Sequence, residues 1–250
     1  MRPKQWVKNV LVFSAPLAAG RLLDLRVLGE TLLAMAAFGL VSSFVYLIND
    51  IVDVAEDRQH PTKRFRPIAS GELPVPVAIG MAVVCLLAGI GIGLATAIPL
   101  AVVLAVYVVL QLGYALWLKH QPVVDLAVVA VGFLLRALAG GLASGIPISQ
   151  WFLLVASFGS LFMVAGKRFS ELVELGPNAG TRPSLAAYSA DYLRFVWGLS
   201  ATLVITFYSL WAFEQQARTV WGVPWTAVSI APFTLAVLSY ARDIDRGTAG

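Results

Sequence analysis

The feature that most constrains this chain is the recurrence of apolar runs that are each long enough to cross a lipid bilayer. A helix needs roughly 20 apolar residues to span about 30 Å of hydrocarbon. Of the 250 residues, 59% are apolar and only 13% are charged, whereas about a quarter of a soluble domain is charged. The pattern therefore predicts an all-α, polytopic membrane helix bundle and not a soluble domain with one large core.

Eight membrane spans are predicted, and residues 1–250 are expected to form a single transmembrane domain. Several spans begin or end near a proline, where the missing N–H is harmless. The first span is short and is interrupted by Pro16, so we expect it to be tilted or to start in the interface. The predicted spans are 6–20, 29–53, 74–97, 100–118, 123–145, 151–166, 193–213 and 224–241.

The positive charges predict an orientation. Of the 18 Lys and Arg residues, fourteen fall on the side that holds the N-terminus, three fall on the other side, and Arg136 lies inside a span. Because positive charge accumulates in cytosolic loops, the N-terminus and the two long polar segments 54–73 and 167–192 are predicted to be cytosolic. The charges lie between apolar spans, which favours membrane lipid and phosphorylated substrates as partners and argues against nucleic acid.

The first polar segment begins with Asn49-Asp50-x-x-Asp53-x-x-x-Asp57, here called the acidic segment. If the preceding span continues as a helix, the three carboxylates share one face and repel one another unless a cation lies between them. Mg²⁺ suits this position, because it binds one or two carboxylates and takes phosphate oxygens and water as its other ligands. Acids are costly at the end of an apolar span, so a functional role is favoured over a merely solvated helix end. These four residues are the predicted Mg²⁺ ligands.

Basic side chains follow the acidic segment. Pro61 is expected to end the helix, since the residue before a proline avoids the α conformation. The cations beyond it are well placed to meet phosphate oxygens that a metal leaves free. The orientation bias alone also accounts for each of them separately. The predicted phosphate contacts here, beside Asn49, are Arg58, Lys63, Arg64 and Arg66.

The acidic segment between the second and third spans resembles that of the UbiA superfamily of intramembrane prenyltransferases. Within the superfamily, the chain is similar to members that transfer phosphoribose in bacterial cell-wall synthesis, and the similarity extends over nearly the whole chain. The stretches that carry it are 2–9, 49–69, 118–121, 151–154, 159–168 and 192–197. Superfamily members usually have nine spans, so the last family helix is expected to be missing from this chain.

The resemblance implies a UbiA-type helix bundle in a bacterial plasma membrane, with Mg²⁺ as the cofactor. The implied reaction transfers 5-phosphoribose from 5-phospho-ribose 1-diphosphate to a polyprenyl (decaprenyl) phosphate and releases diphosphate. Other members carry a second aspartate-rich motif where this chain has Gly-Lys-Arg-Phe-Ser-Glu at 166–171. Two cations in that place imply direct contact with an anion, such as a lipid monophosphate or a ribose 5-phosphate. The expected catalytic residues are Asp50, Asp53, Lys167, Arg168 and Glu171.

Eight further residues are predicted to contact substrate. For the interfacial lysines, extension of the side chain to lipid head groups is an equally good account. Arg136 is expensive inside a span, and it is expected either to pair within the bundle or to contact substrate phosphate. Asp125 is its partner only if the helix bends, because eleven residues span about three turns. The eight residues are Lys8, Asn9, Lys119, His120, Arg136, Arg182, Tyr188 and Arg194.

Two other functions stay open at this stage. One is a prenyltransferase that binds a polyprenyl diphosphate at the acidic segment and alkylates an aromatic acceptor. The other is a lipid transporter, although transporters place ionisable groups near mid-membrane in repeated halves, and here Arg136 alone is deep. The pairs Gly89/Gly93 and Gly141/Gly145 allow close helix packing within the chain or between copies, which leaves a homo-oligomer open.

Overall fold

A computed structural model of the chain describes residues 3–175, 185–214 and 223–248. Within these ranges the chain is built from α-helices joined by short 3₁₀ turns and loops. The 3₁₀ helices are Pro3–Phe13, Lys63–Phe65, Leu118–His120 and Leu185–Ala187. The α-helices are α1 (Ser14–Ala18), α2 (Leu25–Val52), α3 (Val54–Gln59), α4 (Pro67–Ser70), α5 (Val75–Thr96), α6 (Ile98–Leu116), α7 (Val124–Ala143), α8 (Gln150–Leu175), α9 (Ala190–Glu214), α10 (Trp225–Val228) and α11 (Ile230–Asp245).

The prediction of an all-α, multi-pass membrane bundle is confirmed. Seven helical stretches among the described residues have the length and apolar composition needed to cross a bilayer. The first predicted span has a different form: it is the 3₁₀ helix Pro3–Phe13 followed by the short α1, and its apolar part is shorter than the other seven. The total of eight spans therefore stays a prediction.

Helix α8 corrects the sequence interpretation at one point. The sixth span was expected to end at residue 166 and to be followed by a polar loop, but α8 continues to Leu175. Residues 167–175 contain no Gly or Pro and several strong helix formers, so nothing in the local sequence stops the helix. Lys167, Arg168 and Glu171 consequently lie on a helix, and their prediction as loop residues was wrong.

The chain divides into two compact units. Unit 1 consists of residues 1–116 and 135–147, and unit 2 consists of residues 117–134 and 148–250, each taken over its described residues. Helix α7 contributes its first half to unit 2 and its second half to unit 1.

Close helix packing in unit 1 depends on glycine. A Cβ added at Gly89 would lie 2.7 Å from Cγ2 of Val41, and one at Gly93 would lie 2.8 Å from Cδ1 of Leu104. Both glycines thus let α5 approach its neighbours within the same chain, as small-residue faces do in membrane bundles. This packing accounts for the Gly89/Gly93 pair without a second copy of the chain.

The core of unit 2 forms where α8, α9 and α11 meet. Phe169, Leu193 and Ile244 are buried there, and Phe169 makes an edge-on contact with Trp197, with ring centroids 6.1 Å apart. Gly166 lies directly against Ile244 with no room for a Cβ. This core fixes the part of α8 that carries Lys167 and Arg168.

Candidate active site

The acidic segment lies where α2 passes into α3. Helix α2 ends at Val52, and Asp53 forms a local distortion between the two helices, with φ −88° and ψ 10°. The α-helical hydrogen-bond spacing nevertheless continues across it: the N–H of Asp53 donates to the carbonyl of Asn49 at 2.9 Å, and the N–H of Asp57 donates to that of Asp53 at 2.8 Å. The predicted helical continuation through the acidic segment is therefore confirmed, with one irregular residue.

Arg66 lies between two of the acids. Its Nη1 donates to Oδ1 of Asp50 at 3.2 Å and to Oδ2 of Asp57 at 2.6 Å. The Asp57 side chain is 3% exposed, that of Asp50 is 14% exposed, and that of Arg66 is 28% exposed. A carboxylate as buried as Asp57 needs a charged or strongly donating partner, and the guanidinium supplies it.

The segment after α3 is held by local hydrogen bonds. Helix α3 ends at Gln59, two residues before Pro61, as predicted. Nδ1 of His60 accepts the backbone N–H of Thr62 at 3.2 Å and that of Lys63 at 3.3 Å, which fixes the turn. Further along, Nε of Arg58 donates to the carbonyl of Ala69 at 3.2 Å, so this cation stabilises the segment.

Lys63 and Arg64, two of the predicted phosphate contacts, make no described contact with the acids of the acidic segment. The guanidinium of Arg64 lies over the ring of its exposed neighbour Phe65, 4.8 Å from the centroid. Lys63 opens a 3₁₀ turn and is half-buried. For Arg58, Lys63 and Arg64, contact with phosphate stays a prediction.

The acidic segment fits Mg²⁺, although it does not form a metal cage. The described residues contain no group of three or more His, Cys, Asp or Glu that could hold an ion. Mg²⁺ does not require one, because it is typically bound by one or two carboxylates together with substrate phosphate and water. Oδ1 of Asn49, next to Asp50 in sequence, is buried with no hydrogen-bond partner among the described residues, and it is an oxygen of the kind that Mg²⁺ accepts; its role as a ligand stays a prediction.

Arg136 lies in a polar cluster inside unit 1. Its Nε donates to Oδ1 of Asn9 at 3.0 Å, and its Nη2 donates to the hydroxyls of Tyr107 at 2.7 Å and Ser42 at 3.3 Å. The guanidinium also faces the rings of Tyr107 and Phe38, at 4.7 and 5.4 Å from their centroids. Both Arg136 and Asn9 are buried, so the pairing role expected for Arg136 is present, while contact of either residue with substrate stays a prediction.

A second buried network, here called the Asp125 network, lies in unit 2. Asp125 has no exposed surface; its Oδ2 accepts from Nη2 of Arg168 at 3.1 Å, and its Oδ1 accepts from the hydroxyl of Tyr188. That hydroxyl in turn accepts the backbone N–H of Val123 at 2.6 Å. Burial, and then the hydrogen bond to Asp125, raise the pKa of Tyr188 well above its usual value of 10.0. The sequence suggested Arg136 as a partner of Asp125, which stays a prediction, and it did not indicate Arg168 or Tyr188.

The Asp125 network also holds a strained turn. Val123 has a φ of +69°, which is rare for a β-branched residue. The N–H of Val124 donates to the carbonyl of Pro122 at 2.8 Å, so Val123 is the central residue of a three-residue turn of the strained kind. A strained backbone conformation of this kind persists only where surrounding contacts hold it in place. The hydrogen bond from the Val123 N–H to the Tyr188 hydroxyl is one such contact.

The structure describes all but one of the remaining candidates. Lys167 is exposed beside the buried Arg168, and Glu171 lies 3.6 Å from Nη1 of Arg168. Nη2 of Arg194 lies 3.4 Å from Asp245. Lys8 is exposed on the first 3₁₀ helix, Lys119 and the exposed His120 lie on another, and Arg182 is outside the described residues.

Comparison with known proteins identifies the family. Residues 10–249 match the UbiA prenyltransferase family. The chain belongs to this family. The UbiA homologue of Archaeoglobus fulgidus bound to GPP and Mg²⁺ has the same fold, with a TM-score of 0.77 at 18% identity over 98% of this chain and 85% of that structure.

Two relatives are much closer in sequence. The decaprenyl-phosphate phosphoribosyltransferase of Corynebacterium glutamicum is 51% identical over 255 residues, covering 100% of this chain and 77% of the relative. The protein of that name in Mycobacterium tuberculosis (strain H37Rv) is also 51% identical, covering 100% of this chain and 83% of the relative. The UbiA resemblance and the UbiA-type fold expected from the acidic segment are thereby confirmed.

Proposed function

We propose that this UbiA-family chain transfers 5-phosphoribose from 5-phospho-ribose 1-diphosphate to a polyprenyl (decaprenyl) phosphate and releases diphosphate. The observation that carries the proposal is the acidic segment with Arg66 between Asp50 and Asp57, since it combines oxygen ligands for Mg²⁺ with a guanidinium that suits phosphate. Relatives that are 51% identical and carry the phosphoribosyltransferase name support the choice of substrates.

The acidic segment would bind the leaving group. Asn49, Asp50 and Asp53 would hold Mg²⁺, and Asp57 is expected to complete the set once Arg66 turns to phosphate. When bound, Mg²⁺ would supply neutralisation of the negative charge that develops on the departing diphosphate. Arg66, whose side chain is partly exposed, would donate to the same phosphate oxygens.

The transfer step follows from the charges of the two substrates. The bond from C1 of ribose to the diphosphate oxygen breaks, the electron pair leaves with diphosphate, and C1 gains oxocarbenium character. An oxygen of the polyprenyl phosphate then forms the new bond to C1. This oxygen is already anionic near neutral pH, so the reaction needs no general base.

Of the two neighbouring cations Lys167 and Arg168 in unit 2, one is exposed and available to an anionic group. Lys167 is exposed on α8, whereas Arg168 is buried against Asp125. We therefore assign phosphate contact to Lys167 and treat Arg168 and Tyr188 as residues that hold α8 and the 3₁₀ turn Leu185–Ala187 in place. Glu171, next to Arg168, keeps its predicted role near a ribose hydroxyl or the metal.

The proposed setting is the bacterial plasma membrane, with the acidic segment on the cytosolic side. The charge distribution supports this orientation. The apolar helices would hold the polyprenyl tail and leave its phosphate at the cytosolic surface, which the water-soluble donor can reach. The lipid-linked phosphoribose would then serve as a precursor for cell-wall arabinan.

The test is a comparison of donor and acceptor pairs. The purified chain in lipid nanodiscs with Mg²⁺ is supplied either with phosphoribosyl diphosphate and decaprenyl phosphate or with a polyprenyl diphosphate and an aromatic acceptor. We expect a lipid-linked phosphoribose from the first pair and no alkylated product from the second. Product from the second pair alone would replace the proposal with an aromatic prenyltransferase.

A further inference from the structure

Arg66 contacts the acidic segment in a way that bears on metal binding. One nitrogen, Nη1, donates to both Asp50 and Asp57, at 3.2 and 2.6 Å. A nitrogen of the cationic guanidinium that donates to two carboxylates occupies the position that a metal ion would need if it bridged the same pair. A guanidinium and a divalent cation cannot share this position, because like charges at such distances repel strongly.

The backbone at Arg66 is fixed, which leaves movement to the side chain. Its N–H donates to the carbonyl of Lys63 at 2.9 Å, and its carbonyl accepts the N–H of Ser70 at 2.8 Å. Pro67 follows at the first position of α4, and the bond from Arg58 to Ala69 holds that short helix. The long, partly exposed side chain of Arg66 can therefore change partner without any rearrangement of the segment.

Diphosphate offers Arg66 an alternative partner. A guanidinium forms paired hydrogen bonds with phosphate oxygens, and these are among the strongest in proteins. When diphosphate is present, Arg66 can leave Asp50 and Asp57 for phosphate, and the two carboxylates become ligands for the cation that accompanies the diphosphate. Without diphosphate, Arg66 stays on the carboxylates, as it does in this structure.

We propose that Arg66 makes the acidic segment select a metal–diphosphate complex over the free metal ion. The proposal rests on the diphosphate site of the proposed function, and it adds that metal and diphosphate bind with positive coupling through this side chain. Coupling of this kind is reciprocal, so diphosphate raises the affinity for metal by the same factor as metal raises the affinity for diphosphate.

The test measures binding and not turnover. The full chain in nanodiscs is titrated with Mn²⁺ alone, with inorganic diphosphate alone in the presence of chelator, and with preformed Mn²⁺–diphosphate. Bound Mn²⁺ is read from its paramagnetic resonance signal, and bound diphosphate from calorimetry. In the wild type we expect weak binding of either component alone and much tighter binding of the complex.

The decisive variant is Arg66→Gln. It is expected to bind Mn²⁺ alone at least roughly fivefold more tightly than the wild type, and to lose most of the coupling, which is typically 5- to 150-fold between linked sites. Arg26→Gln is the charge-matched control. Arg26 lies at the other end of α2, and at 1.5 Å per helical residue it is about 36 Å from Asp50. This control should behave as the wild type. Unchanged or weaker binding of Mn²⁺ alone by Arg66→Gln overturns the proposal.

A second variant covers the case in which Arg66→Gln fails to fold because Asp57 loses its partner. Arg66→Lys keeps the positive charge but cannot form the paired contact with phosphate. It should bind Mn²⁺ alone as weakly as the wild type and bind the complex less tightly; wild-type affinity for the complex overturns the proposal. Coupling between metal and diphosphate without any transfer to lipid phosphate would refute the proposed function and leave this inference standing. Transfer without coupling would refute this inference and leave the proposed function standing.

Discussion

The hydroxyl of Tyr188 donates a hydrogen bond to the buried carboxylate of Asp125, a residue 63 positions earlier in the chain. The same hydroxyl accepts the N–H of Val123 at the centre of a strained turn. One side chain thus ties the segment before α9 to the start of α7, and it does so beside Arg168. Single substitutions in the Asp125 network should accordingly lower the stability of the protein more than substitutions at exposed positions of unit 2.

Removal of the Tyr188 hydroxyl should destabilise the protein. Tyr188→Phe leaves one oxygen of Asp125 and the N–H of Val123 without this partner, and a buried unsatisfied group costs about 1–3 kcal/mol. Thermal unfolding in detergent, followed by intrinsic fluorescence, should show a clearly lower midpoint. Tyr192→Phe is the matched control, because Tyr192 stacks on Tyr188 at 5.8 Å but is partly exposed. Equal midpoints for the two variants would contradict the role given to the hydroxyl.

The stabilisation from Tyr188 should not depend on pH in the neutral range. Burial and the hydrogen bond to Asp125 raise the pKa of Tyr188 above its ordinary value of 10.0, which is expected for the unfolded chain. A group with a raised pKa contributes stability that is fully present below its unfolded pKa and is lost as pH rises through the folded pKa. The difference in unfolding midpoint between the wild type and Tyr188→Phe should therefore stay constant from about pH 6 to pH 9. A difference that shrinks across this range would contradict the assignment.

Asp125 and Arg168 should be coupled in stability. Asp125→Asn removes the nearer of the two carboxylates beside the buried guanidinium of Arg168 and leaves Glu171 at 3.6 Å; breaking a buried pair costs up to about 3–5 kcal/mol. The double variant Asp125→Asn/Arg168→Gln removes both charges and should be less destabilised than the sum of the two single variants. Unfolding midpoints of the four proteins measure this coupling, and strict additivity would show that the two residues act independently.

Within the acidic segment, Asp50→Asn and Asp53→Asn should each lower the rate of phosphoribose transfer by about 100-fold or more, because they weaken stabilisation of the leaving diphosphate. Glu56→Gln is the control, since Glu56 is an exposed acid on α3 between Asp53 and Asp57. Transfer is counted as labelled ribose in the lipid fraction. Near-normal turnover in either Asn variant would refute the Mg²⁺ assignment.

Lys167→Gln should raise the KM for polyprenyl phosphate by about tenfold and change kcat less, because an exposed lysine that contacts a phosphate contributes to binding by its charge. Glu174→Gln is the control on the same helix, at another exposed position. Initial rates at varied lipid phosphate measure both constants. If Lys167→Gln leaves the KM unchanged, the phosphate contact in unit 2 is wrong.

Local patterns in the sequence account for much of what was predicted correctly. The apolar runs were sufficient to predict the helices, since a bilayer requires each span to satisfy its own backbone hydrogen bonds. The acidic segment and Pro61 together predicted where α3 would lie and end. The end of α8 was missed because charged residues were taken as a sign of a loop, whereas Lys, Arg and Glu are good helix formers.

Contacts between distant residues could not be predicted from the sequence. The spacing of Asp50 and Asp57 shows that they share a helix face, but it does not show that Arg66 would bridge them. Likewise Asp125 is visible in the sequence as an acid near the end of a span, yet two of its partners are 43 and 63 residues away. Such pairs depend on tertiary packing, for which one sequence without alignment carries no signal.

In the proposed reaction the chain forms a lipid-linked phosphoribose and releases diphosphate in the same step. The most direct measurement is the ratio of the two products in one reaction, with ribose-labelled phosphoribosyl diphosphate, decaprenyl phosphate and Mg²⁺. We expect equal amounts of lipid-linked ribose and free diphosphate, and neither product when decaprenyl phosphate is omitted. Release of diphosphate without label in the lipid, or no release at all from the folded protein, would contradict the proposed reaction.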